Sequence, residues 1–204
     1  MRGISIPNIL TLFRITLIPA FVLFFYLPFP WKHVITAFIF GLAAFTDWLD
    51  GYLARRLDQT SAFGAFLDPV ADKLMVVVAL VLLVGNHGTP WLAIPAAVII
   101  GREIVVSALR EWMAELGQRA TVAVATVGKL KTSFQMAAIF MMLLGERASE
   151  PWIWNHDVPF SELLFSSHAI YTAGFILFYI AALLTLWSMV VYLHAARDSM
   201  RGER

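Results

Sequence analysis

The chain has 204 residues, of which 60% are hydrophobic and 14% charged, with a formal net charge of +1 and a mean hydropathy of +0.75. Soluble domains carry about 25% charged residues, so this composition excludes a water-soluble globule and indicates an integral membrane protein. A crossing takes roughly 20 helical residues, so the chain accommodates about six as a single membrane domain, residues 1–204, with no separate soluble domain. The absence of cysteine excludes thiol catalysis, disulfides and cysteine-ligated zinc.

In chain order, apolar stretches fall near residues 7–27, 33–52, 68–85, 91–112, 132–146 and 168–193, separated by Pro, Gly or charge. An all-α, six-span polytopic fold follows. The first stretch carries Arg14 and has no small-residue cleavage site, so it is read as a retained span and not as a signal peptide. Two stretches are short as purely apolar runs, and their ends must be polar helical turns that reach into a cavity. Those turns hold the chain's most telling residues. Residues 86–90 read as a tight turn, and 146–167 as a net acidic loop whose Trp152 and Trp154 suit a membrane interface. One set of connections holds Arg2, Arg55, Arg56, Arg119, Lys129, Lys131, Arg197, Arg201 and Arg204, whereas the other holds only Lys32 and Arg147. By the positive-inside rule the first set, with both termini, is cytoplasmic.

Asp47 and Asp50 are three residues apart and Asp68 and Asp72 four apart, so each pair lies on one face of its own helix, at the basic side. Intramembrane acids persist where they serve an ion, a proton path or a buried partner. Four carboxylates converging there raise one another's pKa unless cations intervene. Two divalent ions, Mg2+ or Mn2+, fit, because hard ions prefer carboxylate oxygens and a pair of them clamps a phosphoryl transfer. Gly51 and Gly64 remove bulk from the same faces, and Arg55, one turn past Gly51, is placed to hold a phosphate bidentately. On α-helical spacing Glu103, Ser107, Arg110 and Glu111 form a polar stripe on the fourth span, which belongs against a cavity and not against lipid. Arg110, Lys129 and Lys131 form a basic cluster on the same side, suited to a phosphorylated alcohol. The five histidines lack metalloprotease spacing, and Gly128-Lys129 lacks the upstream glycine of an ATP-binding phosphate loop.

The run Asp47-Trp-Leu-Asp50-Gly51-Tyr-Leu-Ala54-Arg55, then eight residues to Gly64, then Asp68 and Asp72, resembles the signature of the CDP-alcohol phosphatidyltransferases at every defined position. Ile6-Pro7-Asn8-Ile9-Leu10-Thr11-Leu12-Phe13-Arg14, the stretch from Arg102 to Trp112, and Gly128-Lys129-Leu130-Lys131-Thr132 look like the bacterial phosphatidylglycerophosphate synthase branch of that family. The resemblance implies a six-helix enzyme of the bacterial inner membrane, commonly a homodimer, with its active site on the cytoplasmic side. It implies transfer of a phosphatidyl group from CDP-diacylglycerol to sn-glycerol 3-phosphate, with release of CMP. It further implies that Asp47, Asp50, Asp68 and Asp72 hold the two metal ions and that Asp72 also acts as general base. Asn8, Thr11, Gly51, Arg55, Ser61 and Gly64 then contact the donor, and Arg110, Lys129 and Lys131 the acceptor phosphate. Two other readings stand beside it. The same chemistry with another acceptor, such as serine, inositol phosphate or another lipid, is the nearer one, and the basic cluster argues against a neutral acceptor. An ion or proton transporter leaves Gly51, Ala54, Arg55 and Gly64 without a reason.

Overall fold

In the computed structural model, residues 6–29, 31–57, 62–115, 126–146 and 167–201 are described. They form α1 (Ile6–Tyr26), α2 (Lys32–Leu57), α3 (Ala62–His87), α4 (Pro90–Glu115), α5 (Thr126–Gly145) and α6 (Ser167–Arg201), with no strand among the described residues. Five of these helices contain segments long and apolar enough to cross a membrane: Ile9–Tyr26, Lys32–Leu53, Pro69–His87, Pro90–Glu115 and His168–His194. The apolar part of α5, Leu130–Gly145, reaches only about 24 Å at 1.5 Å per residue, against a hydrocarbon core of about 30 Å. The expected loop from residue 146 to 167, with Trp152 and Trp154, lies almost wholly outside the described residues.

The helices overrun the apolar stretches. α2 continues five residues past residue 52 and α3 begins six before residue 68, so all four aspartates fall within helices. The turn expected over residues 86–90 shrinks to Gly88 and Thr89 because α3 runs through His87. Gly88 has a positive φ of 59°, and its N–H donates to the Val84 carbonyl at 2.9 Å, the left-handed helix stop that glycine adopts without a Cβ penalty. Thr89 then leads into α4, its carbonyl accepting from the N–H groups of Leu92 and Ala93, with Pro90 at the first helical position, where its missing N–H costs nothing.

Successive helices alternate in direction. The starts of α1, α3 and α5 share an end with the finishes of α2, α4 and α6. At the opposite end Asn86 of α3 donates to Glu146 at 2.7 Å, and the Tyr179 hydroxyl of α6 donates to the Trp91 carbonyl of α4 at 2.7 Å. The interior is packed by Phe21, Phe40, Leu83, Ile99, Ile139, Met142 and Phe178, one or more from each helix. Large apolar side chains such as Phe38, Val81, Ile94, Ile104, Ile176 and Leu183 face outward, as suits a protein whose surrounding solvent is hydrocarbon. α5 packs most extensively on α6. Gly174 permits this approach, since a Cβ there would lie 3.0 Å from the Met142 backbone nitrogen and from the Met141 Cβ.

Candidate active site

The site is built where α1 meets the aspartate-bearing end of α2. Asp47 and Asp50 share a face of α2, and Arg14 of α1 reaches across to both. Its Nη1 donates to Asp47 Oδ1 at 2.6 Å, and its Nη2 donates to Asp50 Oδ2. The Arg14 side chain is 1% exposed and Asp47 43%, so the pair is sealed on the α1 side and open on the other. Arg14 Nε is buried with no hydrogen-bond partner among the described residues. A lone arginine within an apolar span is itself a signal, because such a charge persists only with a partner. The sequence reading placed Arg14 in a motif and missed that role. Thr11, one turn earlier on α1, is fully buried.

Asp72, on α3, has Asp47, Arg14, Glu103 and Lys73 as its electrostatic neighbours, so four helices bring ionisable groups to one region. Beside it lies a cavity of about 50 Å3 between α3, α4 and α5. Asp72, Lys73, Glu103, Thr132 and Gln135 form its polar lining and Val76, Ile99 and Met136 part of its apolar lining. Such a volume holds a few waters at most. Gln135 is buried and its Oε1 has no partner among the described residues, which leaves an acceptor at the cavity wall. Lys73 donates to Ser107, tying α3 to α4.

The expected polar stripe of α4 splits between two neighbours. Glu103 accepts from Lys131 of α5 and from Arg102 Nη1 at 2.9 Å. Arg102 also donates from Nη2 to Ser188 of α6 at 3.0 Å. Arg110 donates to the Tyr192 hydroxyl at 2.7 Å, and the Arg102 and Arg110 guanidiniums lie 5.6 and 5.2 Å from the Tyr192 ring centroid. Glu111 is exposed. Lys131, expected to meet a phosphate, is therefore buried in an ion pair with Glu103. Arg102 enters as a further cation of this cluster.

Several predicted residues are located only by their backbone. Asp68 and Gly64 lie in α3, Asn8 in α1, Arg55 in α2 and Lys129 in α5, with their side chains outside the described residues; Gly51 lies on α2 one residue past Asp50, and Ser61 lies wholly outside them. Among the described residues no three Asp, Glu or His side chains converge as ligands for a metal ion. The two that do converge, Asp47 and Asp50, meet at a single cationic point occupied by the Arg14 guanidinium, and their hard oxygens are the donors that Mg2+ and Mn2+ prefer. That donor chemistry fits a divalent ion.

Comparison with known proteins shows the family. The chain is 50% identical to the CDP-diacylglycerol--glycerol-3-phosphate 3-phosphatidyltransferase of Salmonella typhimurium strain LT2, over 96% of this chain and 97% of that protein. It is 52% identical to the proteins of the same name from Yersinia enterocolitica and Yersinia pestis strain Pestoides F, over 95% of both partners. Residues 4–196 match the CDP-alcohol phosphatidyltransferase family, and the chain belongs to that family.

Proposed function

We propose that the protein transfers the phosphatidyl group of CDP-diacylglycerol to sn-glycerol 3-phosphate, giving phosphatidylglycerophosphate and CMP in phospholipid biosynthesis. The observation that carries this reading is the Asp47–Asp50 pair, drawn to one cationic point beside Asp72 and its cavity. The names of the relatives, similar over nearly their full length, support the choice of acceptor.

Asp47, Asp50, Asp68 and Asp72 would hold two divalent cations, Mg2+ or Mn2+. When bound, such ions neutralise the donor's diphosphate and the charge that develops on the leaving group. Asn8, Thr11, Gly51, Arg55, Ser61 and Gly64 contact the nucleotide and diphosphate. Asp72 takes the proton from the acceptor's primary hydroxyl as its oxygen forms a bond to the phosphatidyl phosphorus, while the bond from that phosphorus to the CMP oxygen breaks. Arg110, Lys129 and Lys131 attract the acceptor's phosphate. Lys131 does so through a cluster in which Glu103 already offsets one of its charges.

In this reading α5 is the sixth span, with Thr132 and Gln135 on the cavity, and the site faces the cytoplasm of a bacterial inner membrane, the side to which the positive-inside rule assigns the basic connections. A homodimer is carried over from the family resemblance. The decisive test is incubation of the purified protein with CDP-diacylglycerol, Mg2+ and one alcohol at a time. CMP release with glycerol 3-phosphate is expected, and release with serine or inositol phosphate alone would reassign the acceptor. No CMP with any alcohol would leave the transporter reading.

A further inference from the structure

The Arg14 guanidinium occupies the point at which Asp47 and Asp50 converge, donating to one oxygen of each. It is almost wholly buried, so the contact is not an incidental surface pair. Removing one partner from such a buried pair strands the other as an uncompensated charge. The pose does not satisfy the arginine fully, because its buried Nε lacks a partner among the described residues. The carboxylates are thus held by a cation with one N–H that no described residue accepts. A divalent cation drawn to these carboxylates would compete with the guanidinium for the space and the negative charge between them, since hard ions prefer the same oxygens that now accept its hydrogen bonds.

We propose that Arg14 is the internal counter-ion of the aspartate pair: it holds Asp47 and Asp50 together in the metal-free protein, and a divalent cation entering the site must displace it. The inference rests on the reading that these aspartates bind divalent cations. Its consequence is that metal loading exchanges one cation for another. The empty site then does not suffer the full repulsion of its carboxylates, and the ordinary affinity for metal is lower than four carboxylates alone would confer.

The test uses the full-length protein in detergent, stripped with chelator, without substrate. Mn2+ binding is measured by electron paramagnetic resonance of the free ion, and thermal unfolding is followed with and without Mg2+. Arg14→Gln removes the competitor, and Arg14→Lys keeps a charge but loses the planar fork whose two nitrogens each meet one carboxylate. Loss of a competing charge-assisted hydrogen bond is equivalent to about a ten- to hundredfold change in affinity. Arg14→Gln is expected to bind Mn2+ more tightly than wild type by that factor, and Arg14→Lys by an intermediate one. Stripped Arg14→Gln melts below stripped wild type and gains more from Mg2+. If Arg14→Gln does not accumulate as folded protein, tighter or unchanged binding by Arg14→Lys decides the matter. Equal or weaker Mn2+ affinity in the variants, with wild type binding normally, would overturn the counter-ion role alone. Absence of Mn2+ binding by wild type would bring down the metal reading of the aspartates together with it.

Discussion

Glu146→Gln isolates a pH-dependent penalty at the end of the bundle remote from the aspartates. Glu146 follows the last residue of α5, is 1% exposed, and accepts from Asn86 at 2.7 Å. Burial pushes its carboxyl up from 4.5 to about 7, against the smaller opposing effects of the Asn86 hydrogen bond and the Lys32 charge. A folded-state value above the unfolded one means that the native state holds the proton longer. Stability is therefore highest below pH 4.5, falls as the pH rises to about 7, and levels off above it. The interval converts to about 3 kcal/mol at 1.36 kcal/mol per pH unit. For a chain of this size that is about 6–12 °C in Tm. The glutamine keeps an oxygen for Asn86 but carries no charge at any pH. The assay is thermal unfolding in detergent micelles, followed by tryptophan fluorescence from pH 4.5 to 8.5. His33, His87 and Lys32 are present in both proteins, so the difference curve isolates Glu146. The variant should match wild type near pH 4.5 and exceed it by several degrees at pH 8. Parallel curves across the range would refute the argument that burial dominates at this carboxyl.

Asp47→Asn, Asp50→Asn and Asp68→Asn should each lower CMP release by at least about a hundredfold, the scale of losing a group that stabilises transition-state charge; near-normal turnover with unchanged Mg2+ dependence in any one would remove it from the ligand set. Asp72→Asn should lower kcat far more than it weakens CDP-diacylglycerol binding, because an amide cannot accept the hydroxyl proton; an equal loss of both, measured by equilibrium binding and initial rates, would leave Asp72 as a ligand alone. Arg110→Ala and Lys129→Ala should raise the KM for glycerol 3-phosphate about ten- to a hundredfold and leave the donor KM unchanged; an unmoved acceptor KM in both would return them to topological anchors. Gly174→Ala should destabilise the protein by about 1–3 kcal/mol through overpacking, since the new Cβ meets the Met142 backbone nitrogen at 3.0 Å; an unchanged Tm would mean that α5 and α6 separate freely there.

The helices were legible because lipid exposure demands long apolar runs, and every expected stretch became a helix. Their ends were less so. Hydropathy reports where a helix meets hydrocarbon, whereas α2 to Leu57 and α3 from Ala62 continue on backbone hydrogen bonds through polar turns. The aspartate spacing fixed which faces of α2 and α3 carry acid, but not what stands opposite. The Arg14 contacts join residues 33 and 36 positions apart, and Lys131 meets Glu103 across 28. Neither separation leaves a periodic trace, so the phosphate-facing role expected of Lys131 was read without its internal partner. Arg102 was visible only as part of a motif, because its partners Glu103, Ser188 and Tyr192 converge only when α4 packs on α6.

The interior charges divide the bundle into two electrostatic halves. On the α1–α2 side, Asp47 and Asp50 face the guanidinium of Arg14, a net charge of −1, and Asp72 on α3 has Lys73 beside it. On the α4–α5 side, Arg102 and Lys131 face the single carboxylate of Glu103, a net +1 that Arg110 raises to +2 against Tyr192. Among the described side chains neither half is neutralised within itself, although uncompensated charge among membrane helices is costly. On the proposed function, that cost would be offset when each half receives its complement, metal cations at the first and a phosphorylated acceptor at the second. The cavity bounded by Asp72 and Glu103 lies between the two, with Lys73 of α3 tied to Ser107 of α4 across the same boundary. On the proposed function, an acceptor held by its phosphate at the positive half would present its hydroxyl toward Asp72. On the proposed function, the division gives a reason for buried ion pairs at positions where apolar packing is often no less stable.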